Sequence, residues 1–254
     1  MNKIKIRIAS TVFLILENDA ERFHYIKSDD SPNKNGLLNK LIPNLLVIRK
    51  LRREKIRQAL SDMGKERAEE IYESVNQVID EVYFDDLDLD ILDAEIWILP
   101  TAQSQTAFDE ICDSETKIAA LSVTEYLRGM LNEYAMLPQY KREHLVFYRE
   151  IRLIHSAFAT TQILRFECNG EKYKFFVYQY VYGYLYDQTN YLIGYDIDRK
   201  QIRSFPIARL KKLYLLKKKY KPSENLMNSI ENYHNESQYG MDNIVDWREN
   251  DEEE

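Results

Sequence analysis

The chain has 254 residues, of which 30% are charged and 44% are hydrophobic, and its formal net charge at pH 7 is −7. This composition is typical of a globular protein with room for two modest domains, and it excludes a chain that is disordered throughout. The two cysteines have no Cys-x-x-Cys spacing, which argues against a disulfide framework or a structural zinc site and fits a reducing cytoplasm.

Several classes of function lack their sequence signatures. Neither G-x-x-x-x-G-K-[ST] nor G-x-G-x-x-G occurs, so we expect no nucleotide hydrolysis and no cofactor. The histidines form no Ser/His/Asp or Cys/His signature and no His-x-x-x-His pair, so we expect no catalytic residue and no metal site. No apolar run reaches the roughly 20 residues that a membrane span needs. We therefore expect a cytoplasmic protein that makes no membrane contact and is not an enzyme.

Charge is segregated along the chain. Residues 1–57 carry 13 basic and 6 acidic side chains, and residues 138–222 carry 17 and 7. The other two stretches are acidic, with 4 basic and 19 acidic side chains in residues 58–137 and with 1 and 10 in residues 223–254. A basic surface attracts phosphates whatever the net charge of the whole molecule, so this pattern indicates a nucleic-acid partner. The alternative is that each basic stretch is ordinary solvated surface.

The first predicted element is a strand at residues 3–8, where charged and apolar side chains alternate. Alternation places successive side chains on opposite faces of a strand. The apolar face carries Ile4, Ile6 and Ile8, and the cationic face carries Lys3, Lys5 and Arg7. Helices are predicted at residues 11–26 and from residue 36 onward, and Pro43 predicts a kink or a restart in the second helix.

The order strand, helix, turn, helix returns at residues 94–137. We interpret residues 3–47 and 94–137 as a degenerate internal duplication, with coincidence as the alternative. One chain would then supply both antiparallel strands of a ribbon-helix-helix unit. The outward side chains of that ribbon, and our candidate nucleic-acid contacts, are Lys3, Lys5, Arg7 and Trp97.

The two predicted ribbon strands differ in charge, because only the first is strongly basic. A symmetric dimer that reads a palindromic operator needs two equivalent cationic strands, so the asymmetry favours sequence-tolerant binding of one strand, with Trp97 stacked on a base. In the alternative interpretation, the cations protect an exposed edge strand from aggregation.

From residue 143 the pattern changes to short strands, predicted at residues 163–168, 172–182, 191–196, 201–205 and 213–216. Asn169-Gly170, between two alternating runs, is a strong hairpin signal. We therefore predict an α+β fold, with a helical, ribbon-helix-helix-like domain at residues 1–142 and a small, mostly antiparallel β-barrel at residues 143–222. Residues 223–254 are predicted to form a short helix and an acidic, partly disordered tail.

The barrel region resembles the WYL family. Asn190-Tyr-Leu-Ile-Gly-Tyr-Asp196 is similar to the Trp-Tyr-Leu-Val-Ala-Tyr-Asp strand that names the family, and Arg203-Ser-Phe-Pro-Ile-Ala-Arg-Leu210 is similar to its R-x-F-x-x-x-R-I segment. The resemblance spans residues 150–217 and departs from the family at Asn190, where a tryptophan is usual. Residues 122–143 are similar to the junction in a subgroup with ribbon-helix-helix-like front ends, which includes transcriptional regulators and accessory proteins of RNA-targeting CRISPR systems.

The resemblance implies a five-stranded SH3/Sm-like barrel, usually dimeric, whose basic and aromatic pocket binds nucleic acid or a nucleotide-like effector. Carried over by position, the implied pocket residues are Tyr191, Arg203, Arg209, Arg165 and His155. If the Arg203 and Arg209 guanidiniums both face that pocket, their replacement would abolish binding and leave stability nearly unchanged.

The chain has 19 tyrosines, and five of them recur at every second position: Tyr178, Tyr180, Tyr182, Tyr184 and Tyr186. A straight strand would place all five rings on one face. Exposed aromatic rings beside cations stack on unpaired bases, which favours single-stranded RNA over duplex DNA. The alternative is that the rings pack on the barrel and expose only their hydroxyls.

Three functions fit these patterns. The first is a WYL-type transcriptional regulator that binds nucleic acid through its front end and senses an effector in the pocket. The second is an accessory protein that binds single-stranded RNA and acts with an RNA-targeting CRISPR effector nuclease. The third is a protein-interaction module whose acidic segments bind a basic partner.

Overall fold

The computed structural model describes residues 3–63, 71, 72, 75, 92–183, 188–236 and 244–246. The chain divides into two compact units, Met1–Pro138 and Gln139–Glu254. The first contains helices and a two-stranded ribbon, and the second contains helices and an antiparallel sheet, which confirms the α+β prediction at this level. Within the described residues, no helix has both the length and the apolar character that crossing a bilayer requires.

The order strand, helix, helix occurs twice in the first unit. Its elements are β1 (Ile4–Ile8), α1 (Ser10–Arg22), α2 (Lys34–Met63), β2 (Ala94–Ile98), α3 (Gln105–Glu110), α4 (Thr116–Ile118) and α5 (Val123–Ala135). A π-helical turn, Ile111–Glu115, joins α3 to α4. Helix α2 continues through Pro43, so the predicted restart does not occur. Proline removes one helical hydrogen bond, but the apolar side chains on both sides of Pro43 are buried and hold the helix in place.

Strands β1 and β2 form an antiparallel ribbon within one chain, as the duplication predicts. Ile4 pairs with Ile98, Lys5 with Trp97, Ile6 with Ile96, and Arg7 with Glu95. The isoleucines turn one face of the ribbon toward the helices, where Ile6, Ile8, Ile96 and Ile98 are buried. Side chains alternate along each strand. Lys5 and Arg7 therefore lie on the opposite face, together with their partners Trp97 and Glu95.

Helix α5 begins at a well-defined cap and packs under the ribbon. The Ser122 hydroxyl accepts a hydrogen bond from the Glu125 N–H, and the Glu125 carboxylate accepts one from the Ser122 N–H, which completes a capping box. The helix contacts β1 and α1. In the core, the Tyr134 hydroxyl donates a hydrogen bond of 2.6 Å to the Asp19 carboxylate of α1, which ties the two copies of the pattern together.

The second unit begins with two helices and continues as a sheet. Its elements are α6 (Gln139–Val146), α7 (Tyr148–Thr160), β3 (Gln162–Cys168), β4 (Glu171–Val181), β5 (Tyr191–Asp196), β6 (Gln201–Pro206), β7 (Lys211–Lys219), α8 (Glu224–Glu236) and β8 (Ile244–Asp246). The predicted hairpin between β3 and β4 is confirmed. Asn169 and Gly170 both have positive φ values, 50° and 81°, as a tight turn that matches the strand twist requires.

The sheet is antiparallel with strand order β7-β3-β4-β5-β6-β8. The barrel expected from the resemblance is not closed among the described strands, where β7 and β8 form the two edges of an open sheet. A closed barrel would need the outer edge of β6 for the closing pairs, but that edge is bonded to β8, from Gln201 opposite Asp246 to Arg203 opposite Ile244. Residues 244–246 are therefore a strand in a stretch that was predicted to be a disordered tail.

The two faces of the sheet carry different cores. One face holds a cluster of aromatic rings from Phe166, Tyr173, Phe175 and Phe205. On the other face, Phe176, Ile193, Tyr195 and Ile202 pack against Leu226, Ile230 and Tyr233 of α8. The helix predicted after residue 222 is confirmed, and it supplies part of the core of the second unit.

Candidate nucleic-acid interface

The outward face of the β1–β2 ribbon carries an exposed indole with two ammonium groups close to its ring. Trp97 is 44% exposed, and the Nζ atoms of Lys3 and Lys5 lie 4.2 Å and 5.4 Å from the centroid of its ring. Lys5 also forms an ion pair of 2.6 Å with Glu95 of the opposite strand. We call Lys3, Lys5 and Trp97 the ribbon surface; it combines an aromatic platform with cations that can approach a phosphate.

Arg7 serves the ribbon mainly as an anchor. Its Nη2 donates a hydrogen bond of 2.9 Å to the carbonyl oxygen of Leu92, just before β2. Its own carbonyl oxygen accepts a bond of 2.8 Å from Nε of Arg128 on α5. Arg128 thus brings a further cation to the ribbon from 121 residues away in the sequence, and the strand pattern contains no signal for it.

Three further arginines of the first basic stretch are neutralised inside the first unit. Nε of Arg49 lies 3.0 Å from the Glu133 carboxylate, and Nη2 of Arg52 lies 2.9 Å from its other oxygen. Arg53 forms an ion pair with Glu115, and both glutamates are buried. The net charge of residues 1–57 therefore overstates the positive charge available to a phosphate.

These buried ion pairs share one tyrosine. The Tyr126 hydroxyl donates a hydrogen bond of 2.9 Å to Glu115, and the Arg49 guanidinium lies 5.2 Å from the centroid of the Tyr126 ring. Burial raises the pKa of this hydroxyl to about 12, so the phenol stays protonated and keeps donating. The network is internal, and it holds α2 against α5.

In the second unit, Arg203 is buried against the aromatic cluster. Its guanidinium lies 5.2 Å from the centroid of the Tyr173 ring and 5.0 Å from that of Phe205. Nη1 is 4.0 Å from the carboxylate of Asp196, which is fully buried and also pairs with Arg199 at 3.0 Å. The Nε atom of Arg203 has no hydrogen-bond partner among the described residues.

Arg209 ends the short 3₁₀ turn Ile207–Arg209, which directly follows β6. Burial raises the pKa of the Cys168 thiol, against the opposing effect of the Arg209 and Arg203 charges. The charges of both arginines therefore act on the same buried thiol.

Tyr191 lies on the opposite face of the sheet from Arg203. It pairs with Pro206, whereas Arg203 pairs with Gly194. Positions of β5 that are an even number apart share a face, so Tyr191 belongs with Ile193 and the α8 side. The sheet itself separates Tyr191 from Arg203.

The last two implied pocket residues contact other tyrosines. Arg165 pairs with Lys174 and Tyr214 in the neighbouring strands, and its guanidinium is 5.8 Å from the centroid of the exposed Tyr214 ring. His155 is exposed on α7, with its ring centroid 5.4 Å from that of Tyr180. The structure thus distributes the five residues over several places in the second unit.

The tyrosine run of β4 is divided by a β-bulge between Val177 and Gln179. A bulge inserts one residue and reverses the side on which the following side chains point. Tyr178 packs toward α8, with its ring 6.4 Å from that of His234. Tyr180 and Tyr182 instead contact His144 of α6. The prediction of one shared face is therefore wrong for Tyr178, and Tyr184 and Tyr186 lie outside the described residues.

Asn190, where the sequence departs from the WYL pattern, is fully buried and forms several hydrogen bonds. Its N–H and its side-chain amide donate to the Glu143 carboxylate at 2.8 Å and 2.9 Å. The amide also donates to the carbonyl oxygen of Tyr140, and its oxygen accepts from the N–H of Gly183. This polar network joins α6 to the start of β5.

The comparisons with known proteins give a likeness in structure but none in sequence. No family model matches the sequence. No curated protein sequence matches it either. Among solved structures, the fold is similar to one described as the crystal structure of a CRISPR Cas-related protein, with a TM-score of 0.68 and 15% sequence identity over 95% of this chain and 72% of that chain. At this identity the likeness concerns the fold alone.

Proposed function

We propose that this protein is a non-catalytic accessory protein of a CRISPR system that binds single-stranded RNA. The ribbon surface carries the proposal, because it combines the two elements of sequence-tolerant binding, a stacking ring and cations for the phosphate backbone. The fold similarity to a CRISPR Cas-related protein supports this function over that of a free-standing transcriptional regulator. An effector nuclease is the proposed partner, and a homodimer in the cytoplasm is the proposed form.

The asymmetry of the ribbon supports single strands as the target. A ribbon that reads a palindromic duplex presents equivalent strands from two subunits. Here both strands come from one chain, and Glu95 partly neutralises the cation opposite Trp97. An indole that is 44% exposed can stack on an unpaired base, because the π-face of such a base is free.

Effector sensing by a WYL-type domain is a second candidate function. The charges of Arg203 and Arg209, which both act on Cys168, favour it, because two guanidiniums that face one site would hold a phosphate. The ligand of such a site would be a nucleotide-like effector. Tyr191 would not contact this ligand, because it lies on the other face of the sheet, and would contribute by supporting β5. In this candidate the second unit senses and the first unit binds nucleic acid.

Fluorescence anisotropy with labelled single-stranded RNA, single-stranded DNA and duplex DNA tests the proposal. Trp97→Ala is expected to weaken RNA binding by the equivalent of one stacked base, about 1–3 kcal/mol. Leu99→Ala is the matched control, because it removes another exposed apolar side chain from the same end of β2. Lys3→Gln is paired with Lys117→Gln, which removes an exposed lysine elsewhere in the first unit.

Three results would contradict the proposal. RNA binding that is unaffected by Trp97→Ala and Lys3→Gln would place the interface elsewhere. Preference for duplex DNA would favour the regulator, and the absence of any nucleic-acid binding at low salt would favour the protein-interaction module.

A further inference from the structure

A small cleft opens between α7 and β4 in the second unit. Its volume is ≈ 160 Å³, and it is lined by Ile154, His155, Phe158, Val177, Gln179 and Tyr180. Pockets for drug-sized ligands occupy about 300–1,000 Å³. The cleft is therefore suited to a single ring system.

The walls of the cleft are aromatic and apolar. Phe158 is 57% exposed at the end of α7, although a phenylalanine gains free energy from being covered. Tyr180 lies across from it and is held in place, since its hydroxyl is 3.3 Å from Nδ1 of His144 and its ring packs edge-on against that of His155. Burial raises the pKa of the Tyr180 hydroxyl, so this wall stays uncharged.

Two polar side chains in the cleft have hydrogen-bonding capacity to spare. Neither the Gln179 amide nor the His155 imidazole forms a hydrogen bond with another described residue. An amide offers both a donor and an acceptor in one plane, which complements the edge of a nucleobase. Val177, Gln179 and Tyr180 all line the cleft; the β-bulge between Val177 and Gln179 brings Tyr180 to the side of Val177, because a regular strand would turn it to the other face.

A cation lies on the same side of α7 as the cleft. Arg152 precedes His155 by three residues, and side chains at this spacing are neighbours on a helix surface. Both are exposed, and the Arg152 guanidinium lies 6.0 Å from the centroid of the Tyr148 ring. A phosphate attached to a ring in the cleft can therefore meet a positive charge about one helical turn away.

We infer that the cleft between α7 and β4 binds one unpaired nucleobase, with Phe158 and Tyr180 on its faces, Gln179 at its edge and Arg152 near its phosphate. The base comes from a bound single strand or from a free nucleotide, which share this chemistry. If the base belongs to a bound single strand of nucleic acid, the inference rests on the proposed function. The cleft is then a second contact point for that strand, besides the ribbon surface.

Two ligands that differ only in their bases test the inference on the full chain. Labelled oligoadenylate is compared with an abasic ribose-phosphate oligomer of equal length, and AMP is titrated separately by calorimetry. Phe158→Ala is expected to weaken oligoadenylate or AMP binding about fivefold or more and to leave the abasic oligomer unchanged. Gln179→Met, which keeps the length of the side chain but removes the amide, is expected to cost about two- to tenfold.

The control is Ile118→Ala, which truncates a side chain that is 69% exposed in the first unit and is expected to change neither binding nor melting. Unchanged melting of Phe158→Ala checks that the second unit remains folded. The inference is overturned if Phe158→Ala and Gln179→Met still bind oligoadenylate more tightly than the abasic oligomer and also bind AMP as the unaltered protein does. The proposed function stays intact in that case. If neither oligomer binds the unaltered protein, the proposed function fails, and the AMP titration alone tests the inference about the cleft. AMP binding that is lost in Phe158→Ala supports the inference. Absence of AMP binding to the unaltered protein overturns it.

Discussion

Lys5 of the first strand lies directly opposite Trp97 of the second strand in the same chain, with its ammonium 5.4 Å from the centre of the indole ring. This pairing joins a cation and a stacking platform from positions 92 residues apart in the sequence. Lys3 lies even closer to the same ring. The phosphate of a base that stacks on Trp97 would therefore lie near both ammonium groups.

Phosphate contacts by the ribbon surface predict a steep dependence of affinity on salt. For single strands, the slope of log K against log salt concentration approaches about −0.7 per neutralised phosphate. Lys3→Gln is expected to make the slope shallower by up to that amount, and Lys117→Gln to leave it unchanged. Anisotropy titrations over a range of KCl concentrations measure the slope. A slope near zero in the unaltered protein would remove the nucleic-acid hypothesis.

Glu133→Gln is expected to destabilise the first unit strongly. It leaves the buried Arg49 guanidinium without its counter-charge, and removing one partner of a buried pair costs about 3–5 kcal/mol. Glu110→Gln is the matched control, because its pair with Lys50 is more exposed and is worth at most about 1 kcal/mol.

Denaturant titration in a Trp247→Phe background measures the difference between these variants, because Trp97 is then the only tryptophan and reports on the first unit. Equal midpoints for the two glutamine variants would mean that the buried network contributes no more than a surface pair.

The buried position of Arg203 changes what its replacement should do. The resemblance to the WYL family implies that replacing Arg203 together with Arg209 abolishes binding and leaves stability nearly unchanged, if both guanidiniums face the pocket. In the structure, Arg203→Ala removes the guanidinium from Tyr173, Phe205 and Asp196, and we expect a loss of about 1–3 kcal/mol in unfolding free energy. Arg203→Lys keeps the charge but not the planar contact, and it should fall between. Far-UV circular dichroism during urea unfolding measures both. An unchanged unfolding free energy for Arg203→Ala would show that the guanidinium does not stabilise the second unit, and only the pocket role would remain for it.

We expect the second unit to lose stability in mild acid, because the pKa values of two of its histidines, His144 and His234, are lowered in the folded state. Burial lowers the pKa of His144, as does the nearby charge of His155, and burial also lowers the pKa of His234. A histidine whose pKa is lower in the folded state binds its proton more readily when unfolded. Its contribution is therefore fully present above the unfolded pKa of about 6.5 and falls as the pH drops below that value.

Urea midpoints between pH 7.5 and pH 5 measure this loss, and the double variant His144→Asn, His234→Asn is expected to flatten it. Carboxylates with lowered pKa values, such as Glu125 and Glu171, lose their contributions only at lower pH, below their usual pKa of about 4.3. An unchanged midpoint profile in the double variant would assign the pH dependence to other groups.

Local patterns in the sequence were sufficient to predict most elements of the fold. Alternation in residues 3–8 placed Ile6 and Ile8 inside and the lysines outside, and the repeated order of elements predicted the pairing of β1 with β2. Asn169-Gly170 predicted the hairpin. These predictions succeed because each depends on side chains within a few residues of one another, or on an element repeated in the same chain.

Only the tertiary structure decided which charges and rings remain available to a ligand. Glu133 neutralises Arg49 and Arg52 from more than 80 residues away, and no local pattern contains that pairing. One inserted residue in β4 separated Tyr178 from Tyr180, and the pairing of β5 with β6 placed Tyr191 and Arg203 on opposite faces. Strand register and long-range ion pairs depend on how distant segments pack, since the side of a sheet changes with every single residue of shift.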